Sequence, residues 1–178
     1  MLTFGHGRLT RAELGALLTG ANVTSIVDVR RFPGSRANPA AAQGEVADLA
    51  AEIGIAYRHD ERLGGRRRLT ADEDAISPDS WWRVAQFRAY AAWTRSPEFR
   101  AGLAQLISDN EGAPDRGHVA IMCSEAVWWR CHRRIVADVA QIEHGIAVGH
   151  LMHDGSVKEH IPSEAARPGP GGYLEWPA

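Results

Sequence analysis

Two thiols, a carboxylate, an imidazole and three guanidinium groups fall within the twelve residues 123–134 of this sequence. The segment reads Cys-Ser-Glu-Ala-Val-Trp-Trp-Arg-Cys-His-Arg-Arg and contains both cysteines of the chain. It directly follows the apolar run Val-Ala-Ile-Met at 119–122, which is typical of a buried strand, and it leads into a predicted helix. Ligands of open α/β sheets bind beyond the carboxyl ends of the strands. The pattern therefore predicts that residues 123–134 form the floor of a functional site.

Acid–base chemistry is the first function that this segment predicts. Glu125 stands just beyond the buried strand, where a carboxyl group can serve as a general acid or base. His132 can exchange protons near neutral pH. We predict Glu125 as the general acid or base and His132 as the residue that assists it. The structural alternative is that Glu125 forms a salt bridge to Arg130 or Arg133.

Cys123 and Cys131 are the candidates for thiol chemistry. If the following helix begins near Cys131, its N-terminus and the neighbouring arginines would stabilise a thiolate there. A thiol-dependent transferase or phosphatase uses a cysteine at a strand end in this way. The loop after Cys123 contains no glycine and carries Glu125 where an anion would have to lie, which argues against a phosphate cradle around Cys123. The structural alternative is that both cysteines are small buried hydrophobic residues.

A metal centre is the third possibility for this segment. The candidate ligands are Cys123, Cys131 and His132, with Glu125 or His6 as a further one. They lack the paired short spacing that is typical of structural zinc sites. Adjacent residues on a helix also point about 100° apart. The sequence therefore assigns no metal ligands, and the cofactor, if there is one, stays unknown.

A second group of candidates follows the neighbouring predicted strands. Asp28 and Arg30 lie at the end of the apolar, β-branched run 23–29, so they should face the same edge of the sheet as Cys123. Asp28 is predicted to orient an arginine or His132, with an ion pair as its structural alternative. The residues predicted to bind the anion come from several segments and are Arg30, Arg36, Arg133, His6 and Tyr57.

The basic residues suggest the class of partner. Of the 20 Lys and Arg residues, every one except Lys158 is an arginine, whose planar fork suits phosphate. Together with Trp128 and Trp129 at the same edge, the arginines predict a nucleotide or single-stranded nucleic acid as the anionic ligand. The net charge of −2 disfavours strong, non-specific binding to duplexes. The alternatives are coding bias, a solvated arginine loop at 66–68 and tryptophans that belong to the core.

Alternating strands and helices are predicted to position these residues. Strands are predicted at 2–4, 23–29, 55–57 and 119–122, and helices at 11–19, 41–53, 81–93, 97–108 and 131–143. Residues 58–80 are predicted to form a long loop, and Asp-Gly at 154–155 predicts a hairpin. This order predicts an α/β fold, with a single three-layer domain over 1–161, a mainly parallel Rossmann-like sheet and a short final β-hairpin. Residues 162–178 are predicted to be an irregular tail.

Composition excludes several classes of protein. A length of 178 residues with 44% hydrophobic residues suits one core. With no apolar run near 18 residues and no N-terminal signal pattern, we expect a cytoplasmic protein that makes no use of a membrane. A non-enzymatic binding or adaptor module, with the Cys-Glu-His-Arg residues as a structural network, remains an alternative to an enzyme. The oligomeric state is left open.

The sequence resembles the family catalogued as domain of unknown function 488 over roughly residues 2–153. The matching motifs are Phe-Gly-His at 4–6, Val-Asp-Val-Arg at 27–30, Phe-Pro-Gly-Ser-Arg at 32–36, Asn-Pro at 38–39, Tyr57, Leu-Gly-Gly at 63–65, Phe-Arg-Ala-Tyr-Ala at 87–91, Met-Cys-Ser-Glu at 122–125 and Cys-His-Arg at 131–133. The resemblance implies an α/β fold and supplies no activity. Its motif positions include Asp28, Arg30, Cys123, Glu125, Cys131, His132 and Arg133.

Overall fold

A six-stranded sheet forms the centre of the molecule. The structure is a computed structural model that describes residues 1–35, 37–113 and 117–178. The strands are β1 (Leu2–Gly5), β2 (Val23–Asp28), β3 (Ala56–His59), β4 (His118–Cys123), β5 (Gly149–Leu151) and β6 (Val157–Glu159), in the order β3-β2-β4-β1-β5-β6. All neighbouring strands are parallel except β5 and β6, which form the predicted hairpin. The predicted α/β class and mainly parallel sheet are confirmed.

Helices cover both faces of the sheet, as a parallel sheet requires. They are α1 (Arg11–Gly20), α2 (Glu45–Glu52), α3 (Ala71–Ala75), α4 (Ala85–Trp93), α5 (Pro97–Glu111) and α6 (Arg133–His144). Alternate residues of each strand point to opposite faces. Ile26 and Met122 pack with α1 and α2 in one core, whereas Val27 and Ile121 pack with α4, α5 and α6 in the other. Within the described residues no helix is long and apolar enough to cross a membrane.

Three helices begin later than the periodicity predicts. Helix α2 begins at Glu45 instead of residue 41, because a 3₁₀ turn over Pro39–Ala41 precedes it. Helix α4 begins at Ala85 instead of residue 81, because Val84 is its N-cap and has an extended backbone, with φ of −87° and ψ of 119°. The residues before it contact the C-terminal segment, where the N–H of Trp81 donates to the carbonyl of Trp176. Helix α6 begins at Arg133, with His132 as its N-cap. Cys131 instead ends a 3₁₀ turn over Trp128–Arg130 and has an extended backbone, with φ of −124° and ψ of 148°.

The segment 58–80 is more ordered than the predicted long loop. It contains the end of β3, a 3₁₀ turn over Glu61–Leu63 and the short helix α3, which Thr70 and Glu73 begin with a capping box. Side chains of α4 fix the turn, because Tyr90 donates its hydroxyl to the carbonyl of Leu63 at 2.6 Å. Residues 63–65 are therefore held firmly against the sheet edge.

The C-terminal segment departs from the predicted irregular tail. Arg167–Pro168 (β7) and Leu174–Glu175 (β8) form a separate antiparallel pair. Trp176 is fully buried in the core beside α4, α5 and α6, and its indole N–H donates to Asp138 at 3.0 Å. Strands of two residues are too short to show an alternation of apolar and polar residues, and the sequence around them is rich in Pro and Gly. Hydrophobic periodicity therefore does not predict this packing.

Candidate functional site

A cleft of about 800 Å³ opens at the carboxyl ends of β1, β2 and β4. Its floor includes His6, which follows β1, Cys123 at the end of β4, and Cys131 and His132 before α6. Tyr90 of α4 also lines it. The structure thus brings the residues that follow three different strands into one cavity, at the edge of the sheet that the sequence indicates.

Three of the candidate residues form a compact cluster of soft ligand atoms. The Nδ1 atom of His132 lies 3.6 Å from the Sγ atom of Cys131 and 3.9 Å from that of Cys123. Burial opposes ionisation of Cys131, but the hydrogen bond from the Cys123 thiol and the charges of His132 and Arg133 outweigh it and lower the pKa of Cys131. The hydrogen bond to Cys131 raises the pKa of Cys123. Cys131 is therefore the sulfur that ionises first.

Glycine is required beside this cluster at two positions. A Cβ atom at Gly65 would lie 2.8 Å from His132 Nδ1, so a side chain there would displace the imidazole. A Cβ atom at Gly5 would collide with the backbone carbonyl of Glu125. That carbonyl accepts a hydrogen bond from Arg133, so Gly5 permits the close approach that orients the guanidinium.

Arg133 is a buried cation beneath the floor of the cleft. It is 1% exposed, and no carboxylate of the described residues lies within salt-bridge distance of it. Its Nε donates to Cys131 Sγ at 3.4 Å, and its Nη1 contacts Thr3 Oγ1 at 3.4 Å. Arg133 was predicted from the sequence to bind the anion. In the structure its guanidinium instead donates to protein atoms below the cleft.

A chain of hydrogen bonds connects Arg133 to a buried carboxylate. Thr3 Oγ1 lies 2.8 Å from His150 Nδ1, His150 Nε2 lies 3.0 Å from His160 Nδ1, and His160 Nε2 lies 2.9 Å from Asp138 Oδ1. With both rings neutral, His160 must donate to Asp138, so His150 donates to His160 and Thr3 donates to His150. All donors then point from the guanidinium toward the carboxylate, and the chain links the two opposite buried charges.

His150 makes stability depend on pH. Burial, and next the neighbouring His160, lower the pKa of His150 to about 3. Between pH 6.5 and 3 the unfolded chain binds a proton that the folded chain does not, so this stabilisation is complete above pH 6.5 and is lost as the pH falls. We expect the difference in unfolding free energy between the native protein and His150→Gln to shrink by about 1 kcal/mol per pH unit from pH 6.5 to 5, with a slope that approaches about 1.4 kcal/mol per unit at the lower end. Urea unfolding at each pH measures it, and parallel pH curves for the two proteins would contradict it.

Asp28, Arg30 and Tyr57 form a closed cluster on the α1 and α2 side of the sheet. Asp28 accepts from Arg30 Nη2 at 2.6 Å and from the Tyr57 hydroxyl at 2.9 Å, while Arg30 Nη1 donates to the carbonyl of Ala41 at 2.8 Å. Burial and the adjacent Asp28 carboxylate raise the pKa of Tyr57. The ion pair considered as the structural alternative is present. Arg30 and Tyr57 are thus engaged with protein partners and are poorly placed to hold an anion.

His6 lies between the two groups of charges. Its Nδ1 donates to the Gly7 carbonyl at 3.1 Å, which leaves Nε2 as a lone pair; Nε2 is buried and has no partner among the described residues. Burial, and next the charge of Arg30, lower the pKa of His6. A neutral imidazole with a free acceptor nitrogen in the cleft can take a proton from a bound group.

The remaining predicted residues have different surroundings. Glu125 is exposed at the rim of the cleft, and its carboxylate makes no salt bridge to Arg130 or Arg133. Arg36 lies outside the described residues. Trp128 stacks on His150 with ring centroids 3.9 Å apart, and neither Trp128 nor Trp129 lines the cleft. The exposed aromatic side chain at the cleft is Phe32, which is 64% exposed and was not among the residues predicted from the sequence.

The buried network behind the floor was also missed from the sequence. Thr3, Asp138, His150 and His160 carry no motif that marks them as partners. The available signal was weak: His150 and His160 flank the predicted Asp-Gly turn, so the hairpin brings them to one end of the sheet.

A comparison with models of protein families shows to which family the chain belongs. The family model described as domain of unknown function DUF488 matches residues 10–140, well over half of the chain. This chain belongs to the DUF488 family. The matched residues of this DUF488 protein include Asp28, Arg30 and the cluster at Cys123, Cys131 and His132, whereas His6 and His150 lie outside them. No curated protein and no solved structure matches the chain. The description of DUF488 names no activity.

Proposed function

We propose that this DUF488 protein is an enzyme that binds a nucleotide or a short single-stranded nucleic acid in the cleft at the carboxyl edge of its sheet. The observation that carries the proposal is a rim of arginines without partners. Arg8, Arg66 and Arg130 line the cleft, are exposed, and have side chains that make no hydrogen bond or salt bridge to the described residues. Free guanidinium groups around a concave site favour a phosphate-bearing ligand.

An exposed aromatic side chain supports the nucleotide class. Phe32 lies between the cleft and a second, arginine-rich cavity of about 1280 Å³, and both cavities include Arg31 and Arg66. The Arg31 guanidinium is 5.6 Å from the Phe32 ring centroid. Stacking of a base on an aromatic ring, with arginines on the adjoining phosphates, is the usual way in which unpaired bases are bound. Phe32 thus takes the stacking role that was predicted for Trp128 and Trp129.

The floor of the cleft supports proton transfer in the bound ligand. His6 supplies an acceptor nitrogen that is free and shielded from solvent. Glu125, at the rim, is in water and serves as the second acid–base group only where a ligand covers it. The imidazole is thus the better placed general base of the two, and Glu125 takes the role of its partner.

Salt-dependent binding tests the proposal. We expect a fluorescein-labelled oligothymidylate to bind the native protein at low salt, as followed by fluorescence anisotropy, and unlabelled ATP to compete with it. Arg8→Gln/Arg130→Gln should weaken binding at least about tenfold and reduce the slope of log affinity against log salt by about 1.4, because two phosphate contacts are lost.

A matched variant controls for net charge. Arg83→Gln/Arg167→Gln removes two exposed arginines that do not line the cleft and should leave both quantities unchanged. The proposal fails if the native protein binds neither probe at low salt, or if the two double variants lose affinity equally.

A further inference from the structure

The cluster of Cys123, Cys131 and His132 has the geometry of a metal centre. We infer that these three residues bind one zinc-class transition-metal ion at the floor of the cleft. Their ligand atoms all lie within 4.8 Å of one another. Two sulfurs and one imidazole nitrogen are the donors that zinc and similar soft or borderline ions prefer.

The distances agree with a shared tetrahedral ion. Zinc bonds of about 2.3 Å to sulfur and about 2.0 Å to nitrogen place the sulfur and nitrogen atoms about 3.6 Å apart when the angle is tetrahedral. The two observed separations between sulfur and His132 Nδ1 are 3.6 and 3.9 Å. Both sulfur–nitrogen separations are therefore within a few tenths of an ångström of the value that a shared tetrahedral ion requires.

The backbone at Cys131 removes the argument against a metal that the sequence suggested. The predicted helix over 131–143 would contain both Cys131 and His132, and adjacent side chains on a helix diverge. In the structure Cys131 is extended and His132 is the N-cap of α6, so the two side chains converge on one point. The residues are neighbours in sequence and can still share one ion.

The hydrogen bonding of His132 is incomplete without a further ligand. Its Nε2 atom is buried and has no partner among the described residues, and its Nδ1 atom has only the two long contacts to sulfur. Burying an imidazole costs folding free energy when neither of its nitrogens has a good hydrogen-bond partner. An ion at Nδ1 would satisfy that nitrogen directly.

Arg133 supplies the outer support that metal-bound thiolates usually have. Its Nε donates to Cys131 Sγ at 3.4 Å from beneath the floor. Cys123, Cys131 and His132 also line the cleft, so the fourth coordination position would open toward the ligand cavity. Three protein ligands and one open position are typical of catalytic zinc and not of closed structural sites.

Cobalt substitution tests the site without any anionic ligand, so its result is independent of the proposed nucleotide binding. We expect reduced protein to take up one equivalent of Co²⁺ and to show the thiolate-to-cobalt charge-transfer band and the visible bands of tetrahedral Co²⁺. Added Zn²⁺ should abolish these bands and protect both thiols from Ellman's reagent. Cys123→Ser and His132→Gln should each weaken Zn²⁺ binding on the order of 100-fold or more.

His153→Gln is the matched control. His153 lines the same cleft but donates its Nε2 hydrogen to the Gly5 carbonyl at 2.7 Å, so its replacement should leave the cobalt spectrum intact. Circular dichroism confirms that each variant is folded, and Cys123→Ser changes only a partly exposed residue. The inference is overturned if folded, reduced native protein gives no thiolate–cobalt band, or if the band persists in both ligand variants. A cysteine pair that only forms a disulfide under oxidants would give the first of these results.

Discussion

Asp138→Ala is expected to lower the free energy of unfolding by about 3–5 kcal/mol, because it leaves several buried donors without an acceptor. Asp138 is fully buried and accepts hydrogen bonds from the His160 ring, the Ser163 backbone N–H and the Trp176 indole, at 2.9, 2.9 and 3.0 Å. It also ends the chain of hydrogen bonds that begins at Arg133. Its loss should therefore loosen the C-terminal segment and the floor of the cleft together.

Urea unfolding and hydrogen exchange measure these effects. Exchange of the Trp176 indole and of the backbone near Ser163 should accelerate more than exchange of the central strands. Asp138→Asn keeps an acceptor for His160 but turns an N–H₂ group toward the indole donor, so we expect an intermediate loss. Asp72→Ala, on the exposed face of α3, is the control and should change stability by less than about 0.5 kcal/mol. An Asp138→Ala protein as stable as this control would refute the structural role of the network.

The sheet was predictable because its signals are local and repeated. The apolar runs at 23–29 and 119–122 are buried on both faces of the sheet, which is why they read as continuous hydrophobic strands. The Thr10 capping box marked the start of α1 correctly. The tail was not predictable in the same way, because Trp176 is held by the side chain of Asp138 and by a core formed mostly of residues distant in sequence.

The location of the site followed from topology, but the roles of its residues did not. The parallel strands β1, β2 and β4 bring His6, Arg30 and Cys123 to one edge of the sheet. This placement depends on the order of the strands and not on the contacts of the side chains. Which nitrogen of His6 is free, and whether a guanidinium faces the cleft or the core, depends on contacts with residues far away in the chain. Arg133 shows this, because its acceptors include Thr3, 130 residues earlier.

Backbone detail at one residue changed the chemistry that the segment 123–134 suggests. A helix over 131–143 would separate the side chains of Cys131 and His132. The 3₁₀ turn over Trp128–Arg130 delays the helix to Arg133, and the cysteine sulfur and the imidazole converge. Errors of two residues in a helix boundary are ordinary in sequence analysis. Here such an error decides whether a metal site is considered.

Asp28→Ala is also expected to lower the free energy of unfolding by about 3–5 kcal/mol, because it leaves the buried Arg30 guanidinium without an opposite charge. Arg30 is 4% exposed, and its guanidinium makes three of its contacts to the Asp28 carboxylate; the Tyr57 hydroxyl would lose its acceptor too. Urea unfolding measures the loss.

A second variant distinguishes a structural Asp28 from a catalytic one. Replacing a buried ion pair by apolar residues is often nearly neutral, so Asp28→Ala/Arg30→Met should recover most of the stability that Asp28→Ala loses. Because Arg8 and Arg130 carry the proposed phosphate contacts, the double variant should also bind the oligothymidylate probe nearly as well as the native protein. If the double variant is stable but no longer binds the probe, Arg30 contacts the ligand after all. If the double variant is as unstable as Asp28→Ala, the unpaired charge of Arg30 is not the cause of the destabilisation.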